Sequence, residues 1–207
     1  MIPTILALAA IATAIPTKPK ETVDPASWVS ASDFTTSDFD HATVTTFDLT
    51  IDQSGVPIKC TVVIASGSEA VDRKVCAAVL KRARFTAAKD SAGQLLPSMR
   101  RDRVFWMPER GGENWSVEAP DFVVSTSSLT GSKTKTVSTV VVVSDVGQVE
   151  GCFVVHSSKI AAMDKEACDI VRPRTPPITD AGGTGVRGIR SFIVGFKAGP
   201  DGIVTAR

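Results

Sequence analysis

Alternation of apolar and polar residues is the first regularity along the chain. Phe47, Leu49 and Ile51 alternate with Asp48, Thr50 and Asp52, the period of two expected of a half-buried strand. Asp52-Gln53-Ser54-Gly55 supplies turn residues, and Ile58, Cys60, Val62 and Ile64 then share one face against Lys59 and Thr61 on the other. Two such strands around a Gly turn predict a hairpin. The period changes after Ser66-Gly67-Ser68. Val75, Cys76, Val79, Leu80 and Ala83 form a stripe at helical spacing, with Asp72 placed to cap the helix. The stripe packs on the sheet, and a strand near Arg103–Met107 completes a small α+β sandwich. Cys60 falls on the inward face of its strand and Cys76 on the inward face of the helix, so a bridge between them would join the two layers.

The same pattern recurs downstream. Cys60 and Cys152, Cys76 and Cys168, Gly55 and Gly147, Val62 and Val154, Val63 and Val155, Ser66 and Ser158, and Asp72 and Asp164 all share a spacing of 92 positions. Further on the spacing falls to 90, matching Arg82–Asp90 with Arg172–Asp180 and Gly93 with Gly183. Upstream, the segment Trp28–Phe34 mirrors Trp115–Phe122, each ending in Asp-Phe. Duplication on this scale predicts two tandem small domains, each an antiparallel sheet of about three strands on one helix. They span residues 28–107 and 115–197, with a linker at 108–114 and a tail at 198–207. Arg190–Phe196 would be the closing strand of the second copy. Four cysteines allow three connectivities. Because each copy inherits a closed pair, Cys60–Cys76 and Cys152–Cys168 are the expected bridges, and Pro173 is expected to end the second helix early. Copy two has one irregularity. Glu150 and His156 take the positions of inward Ile58 and Ile64, while Val149, Phe153 and Val155 make the opposite face apolar. Either the strand register differs between copies, or the second sheet buries its other face against the first repeat.

Composition narrows the partners. The chain has 23 Lys and Arg against 22 Asp and Glu, a net charge of +1 that argues against a nucleic-acid or anionic-membrane surface as the main partner. With no Tyr and three Trp, the core must be aliphatic and aromatic binding anchors are few. At the N-terminus an apolar run from Ile5 to Ala12 leads into Ala12-Thr13-Ala14, the pattern of a secretory signal over residues 1–14, followed by a short linker at 15–27. The run is short of the roughly 20 apolar residues a membrane span needs. Export to an oxidising compartment also accounts for the even number of cysteines. An inner-membrane anchor formed by the same segment is the alternative.

Candidate chemistry is sparse. His41 lies in a polar stretch before the hairpin, and His156 opens His-Ser-Ser after a strand; neither has a partner at metal-ligand spacing. No H-E-x-x-H, G-x-S-x-G or phosphate loop is present, and Ala181–Gly188 lacks the Gly-Lys-Ser/Thr ending that would make its glycines a phosphate loop. Cysteines 16 residues apart do not make a redox or zinc motif. No catalytic, cofactor-binding or metal-binding residue is therefore assigned, and a binding module is preferred to an enzyme. Arg100, Arg101 and Arg103 are compatible with an anion site, although a solvated strand end is the commoner arrangement.

Several of these motifs, taken in order, resemble a known family. A Trp with a nearby Asp-Phe, a hairpin turning at Gly55, a Ser-Gly loop, Val71-Asp72, a helix ending in Arg82-Ala83-Arg84-Phe85, and then Asp90-Ser91-Ala92-Gly93 together resemble the C-terminal domain of the TonB energy transducers. The likeness covers residues 28–107 and, less closely, 115–197; the family's Phe-x-Pro-Ala stands here as Phe85-Thr86-Ala87-Ala88, and Thr175 occupies the place of Phe85 in copy two. The resemblance implies a periplasmic protein that binds an extended segment of another protein, such as an outer-membrane transporter or other envelope protein, by adding a strand to its sheet. It places that contact on the final strand of the first copy, at Arg101, Arg103, Val104, Phe105 and Trp106. A transducer also needs an anchor and a long spacer, whereas Ile15–Ser27 reaches about 45 Å at most, at roughly 3.5 Å per residue. An exported protein-binding module is therefore the expected function, and a part in energy transduction across the envelope the second reading.

Overall fold

The computed structural model describes residues 14–35, 42–107, 113–130 and 133–205. Most of the expected signal segment and of the 108–114 linker, together with His41, lies outside them. A short strand β1 (Lys20–Glu21) and two 3-10 turns (Pro25–Ser27 and Ala31–Asp33) precede β2 (Thr43–Ile51), β3 (Pro57–Ile64) and helix α1 (Glu69–Arg82). Short strands β4 (Phe85–Thr86), β5 (Ala88–Lys89) and β6 (Leu95–Leu96) lead to the long β7 (Ser98–Met107). Then come β8 (Glu113–Glu118), β9 (Phe122–Thr126), β10 (Thr134–Val143), β11 (Val149–His156) and helix α2 (Ala161–Val171). The chain continues through β12 (Ile178–Thr179), β13 (Gly185–Val186), β14 (Gly188–Ala198) and β15 (Gly202–Thr205). The class is α+β, and each half carries one disulfide from strand to helix. Cys60 joins β3 to α1 and Cys152 joins β11 to α2, with Cα separations of 5.6 and 5.9 Å.

The two halves share one sheet, in the order β11-β10-β14-β7-β2-β3. The strands at its centre, β7 and β14, run parallel and pair at Ser98 with Ile189 and Met99 with Arg190. Residues opposite one another in a ladder share a face. Val104, on the Ser98 face of β7, packs under α1, whereas Phe192, Val194 and Phe196, on the Arg190 face of β14, pack under α2. The helices therefore lie on opposite faces, and the halves are related by a rotation about an axis along the strands. A Cβ on Gly188 would stand 2.7 Å from the Pro97 carbonyl oxygen, so the seam closes only around glycine.

The β2–β3 and β10–β11 hairpins have the same register. Leu49 faces Cys60 and Val141 faces Cys152, and the bulges after Thr46 and Thr50 recur after Ser138 and Val142. This excludes a register change as the cause of the apolar reversal in copy two. Its second face is indeed buried: Val140, Val142 and Ile189, with Phe153 and Val155 beside them, pack on Ala88 and Leu96 of the first half. Glu150 and His156 are exposed, so neither faces the core.

Other repeat-wide identities have local causes. Gly55 and Gly147 turn their hairpins at φ of 86° and 82°, and a Cβ on Gly55 would come within 1.9 Å of the Phe85 carbonyl oxygen. Ser66 and Ser158 recur because their amides donate to the carboxylates of Asp72 and Asp164, at 3.0 and 2.9 Å, which tie each loop to its helix. Asp72 is thus not the helix cap. Ser68 caps α1 by accepting from the Val71 amide, and Asp72 lies within the first turn, where it also accepts from the Thr45 hydroxyl at 2.8 Å. Pro173 falls in a 3-10 turn, Arg172–Arg174, that ends α2 at 11 residues against the 14 of α1, as its missing amide requires.

Two stretches outside the repeats also pair with them. In the short linker at 15–27 the Thr17 amide donates to the Lys89 carbonyl at 2.8 Å, and β1 pairs with β4. The tail supplies β15, which pairs with β9. The mirrored Trp segments also diverge. Trp28 is buried in the first core with its ring edge-on to Phe85, among 3-10 turns, whereas Trp115 belongs to β8.

Candidate functional site

The strand expected to offer a free edge does not do so. On one side β7 pairs with β2 from Ser98 to Trp106; on the other, β14 takes its first residues and β8 pairs from Asp102 to Met107. Arg101, Arg103, Val104, Phe105 and Trp106 therefore lie in a strand hydrogen-bonded along both sides within the chain. Val104 and Trp106 are buried on the α1 face, and Arg101 turns to the other face. The cause is a fork. Past the seam β7 and β14 separate, β8 fills the gap along β7, and β9 runs parallel to β14 from Val194 to Ala198. The amides of Ala119 and Asp121, in the turn between β8 and β9, donate to the Arg101 and Ile193 carbonyls.

Charged groups are buried on both faces of this fork. On the α2 face Arg190, 1% exposed, donates to Asp48 at 3.0 Å and Asp121 at 2.9 Å, and Arg101 donates to Asp48 through two nitrogens. Asp121 also accepts from the Ile193 amide at 2.9 Å, and the guanidinium of Arg190 lies 5.0 Å from the centre of the Phe192 ring. Burial pushes the Asp121 carboxyl above the usual carboxylate range despite Arg190; for Asp48 the charges and hydrogen bonds of Arg190 and Arg101 outweigh burial and hold it below. On the α1 face Arg100, the counterpart of Arg190 at the 90-residue spacing, donates to Asp102 through Nε and Nη2, and Glu21 lies 2.6 Å from Nη2. Burial pushes Asp102 up to about 6. Arg100 and Arg101 thus form no open anion site: buried carboxylates occupy them, and they serve to fix the fork.

Among the described strands β8 and β15, in the fork, pair with a single neighbour each, and so do β3 and β11, the two outer edges of the sheet. They differ in their faces. On β3, Lys59, Thr61 and Val63 are exposed on the side away from α1. On β11, Cys152 and Val154 pack toward α2 while Phe153 and Val155 pack toward the first half, so an edge strand is apolar on both sides. That composition is usual for a strand inside a sheet. Beside it lies an open cleft of about 540 Å³, lined by Ile15, Pro16, Lys18, Lys20, Val155 and His156, among others. His156 is exposed at the rim, in register with Ser138, and its side chain has no hydrogen-bond partner among the described residues. Among those residues no three His, Cys, Asp or Glu side chains converge as a metal site, and no helix is long and apolar enough to cross a membrane.

No family model, curated protein or solved structure matches the chain.

Proposed function

We propose that this is an exported protein-binding module, made of two diverged repeats, that captures an extended segment of another envelope protein by adding a strand along the outer edge of β11. One observation carries the reading: among the described residues β11 is an edge strand with apolar residues packed on both faces and backbone groups open on one side. An added strand would satisfy those groups while its alternate side chains extend the two flanking cores, which is the physics of β-augmentation. With both edges of β7 paired within the chain, the contact is proposed on Val149–His156 rather than on Arg101–Trp106. The disulfides, by clamping β3 and β11 to their helices, suit the module to an oxidising compartment such as the periplasm.

The test is selection from a random octapeptide display library with the disulfide-closed protein as bait. A selected peptide should lose binding when its alternate backbone amides are N-methylated, because each methyl removes a donor from the ladder. Methylation of the other set, which faces solvent, should be tolerated; a peptide whose binding survives N-methylation of each set in turn overturns strand addition.

A further inference from the structure

The cleft at β11 does not stop at the edge. A second open cleft, of about 380 Å³, lies on the same face of the second half and shares Ser138 with the first. Pro120, Val123, Ile193 and Gly195 line it, so together the two make an apolar trough across β11, β10, β14 and β9. Helix α2 covers the opposite face of this part of the sheet, and the Ala88–Leu96 cluster covers only the part near the seam.

The charge around this trough is one-sided. Lys18 and Lys20 stand at the first cleft, and Lys135 and Lys197 at the second. Glu118 is the one carboxylate lining either cleft among the described residues, and Lys18 already holds it at 2.6 Å. Lys20 and Lys197 are exposed and form no ion pair among the described residues. Two short-range facts place basic groups beside the β11 edge. Lys20 precedes Glu21, which pairs with Phe85, so its backbone is held on the first half; and the bulge after Ser138 places His156 opposite Ser138 on the trough side.

We propose that a partner segment that adds along β11 continues past His156 across the sheet into the trough, with apolar residues interspersed with carboxylates, the apolar ones seated over Ile15, Val155 and Ile193 and the acidic ones answered by Lys20 and Lys197. This rests on the reading of β11 as the edge to which the partner strand adds. A trough that is open along its length suits a polypeptide, whose remaining side chains stay in water, better than a small ligand, which would be buried in a closed pocket. The lysines supply selectivity and a faster encounter more than raw affinity, as rim charges do.

The octapeptide selection tests this separately from strand addition. Selected sequences should be enriched in Asp and Glu and depleted in Lys and Arg. Binding of a selected acidic peptide should weaken about three- to tenfold with Lys20→Glu and Lys197→Glu together, the range that one or two exposed ion pairs supply, and should strengthen as salt is lowered. Both side chains are solvent-facing, so the variant should keep the parent's melting temperature. Selected peptides without acidic enrichment, or an unchanged affinity in the double variant, would overturn the acidic partner while leaving strand addition standing if N-methylation still abolishes binding. Acidic peptides indifferent to N-methylation would do the reverse. A stable dimer that excludes every peptide would show a second copy to be the occupant and overturn both.

Discussion

Replacing Asp121 by Ala removes one of the two carboxylates that neutralise the buried pair Arg101 and Arg190. Both guanidiniums must then share Asp48, and Arg190 at 1% exposure cannot reach water. Breaking a buried pair by deleting one partner costs about 3–5 kcal/mol, and because Asp48 remains, the low end, about 3 kcal/mol, applies. The bond accepted from the Ile193 amide is lost as well, for about 1 kcal/mol more. A loss of about 4 kcal/mol in a chain of this size should lower the melting temperature by roughly 8–16 °C. Urea denaturation with both disulfides closed measures the loss directly. Adding Arg190→Met should return most of it, because the stranded charge goes with its side chain. A loss under about 1 kcal/mol for Asp121→Ala, or a double variant as unstable as the two single changes added together, would refute the claim that these charges hold the fork.

Three further outcomes follow from the same structure. Replacing Cys60 and Cys76 together by Ala should cost about 3 kcal/mol in urea denaturation, the chain-entropy value for a loop of 16 residues. Gly188→Ala should cost more than about 1 kcal/mol, because the new Cβ meets the Pro97 carbonyl oxygen and must part the seam between the halves; a melting curve matching the parent's would contradict the close approach. The Asp102 carboxyl, pushed up to about 6 by burial from an unfolded value of about 3.9, binds its proton more tightly in the folded chain. Its contribution is therefore fully present below about pH 4 and is lost as pH rises through 6, so urea midpoints should fall with pH across that window. Asp33 and Asp48, held low by their arginines, act below about pH 4, whereas Asp121, also raised by burial, adds to the fall, so Asp102→Asn should reduce the slope rather than abolish it.

The sequence made the local structure legible because short-range rules govern it. Alternation located the hairpins, the 92-residue spacing located both disulfides, and Pro173 located the end of α2. What lay beyond it depends on partners far along the chain. The polar face of β2 reads as solvent-facing, yet Thr46, Thr50 and Asp48 are largely buried, because the arginine that pairs with Asp48 across the seam is 142 residues away. Nothing in Ser98–Met107 announces that Glu113–Glu118 will pair with it, since backbone pairing leaves little trace in side-chain type. The Glu150 and His156 positions, where copy two departs from copy one, were the one sequence signal that the halves touch. They lie on the strand proposed to receive the partner.

Amide hydrogen exchange, with and without a selected octapeptide, tests that assignment most directly. In the free protein the outward amides of Val149–His156 should exchange readily while those of β7 stay protected by β2 and β8. Peptide binding should protect the β11 amides and leave Arg101–Trp106 unchanged. Peptide-dependent exposure of Glu113–Glu118 with continued protection of Arg101–Trp106, and no change at β11, would mean that the partner displaces β8 and would contradict the account.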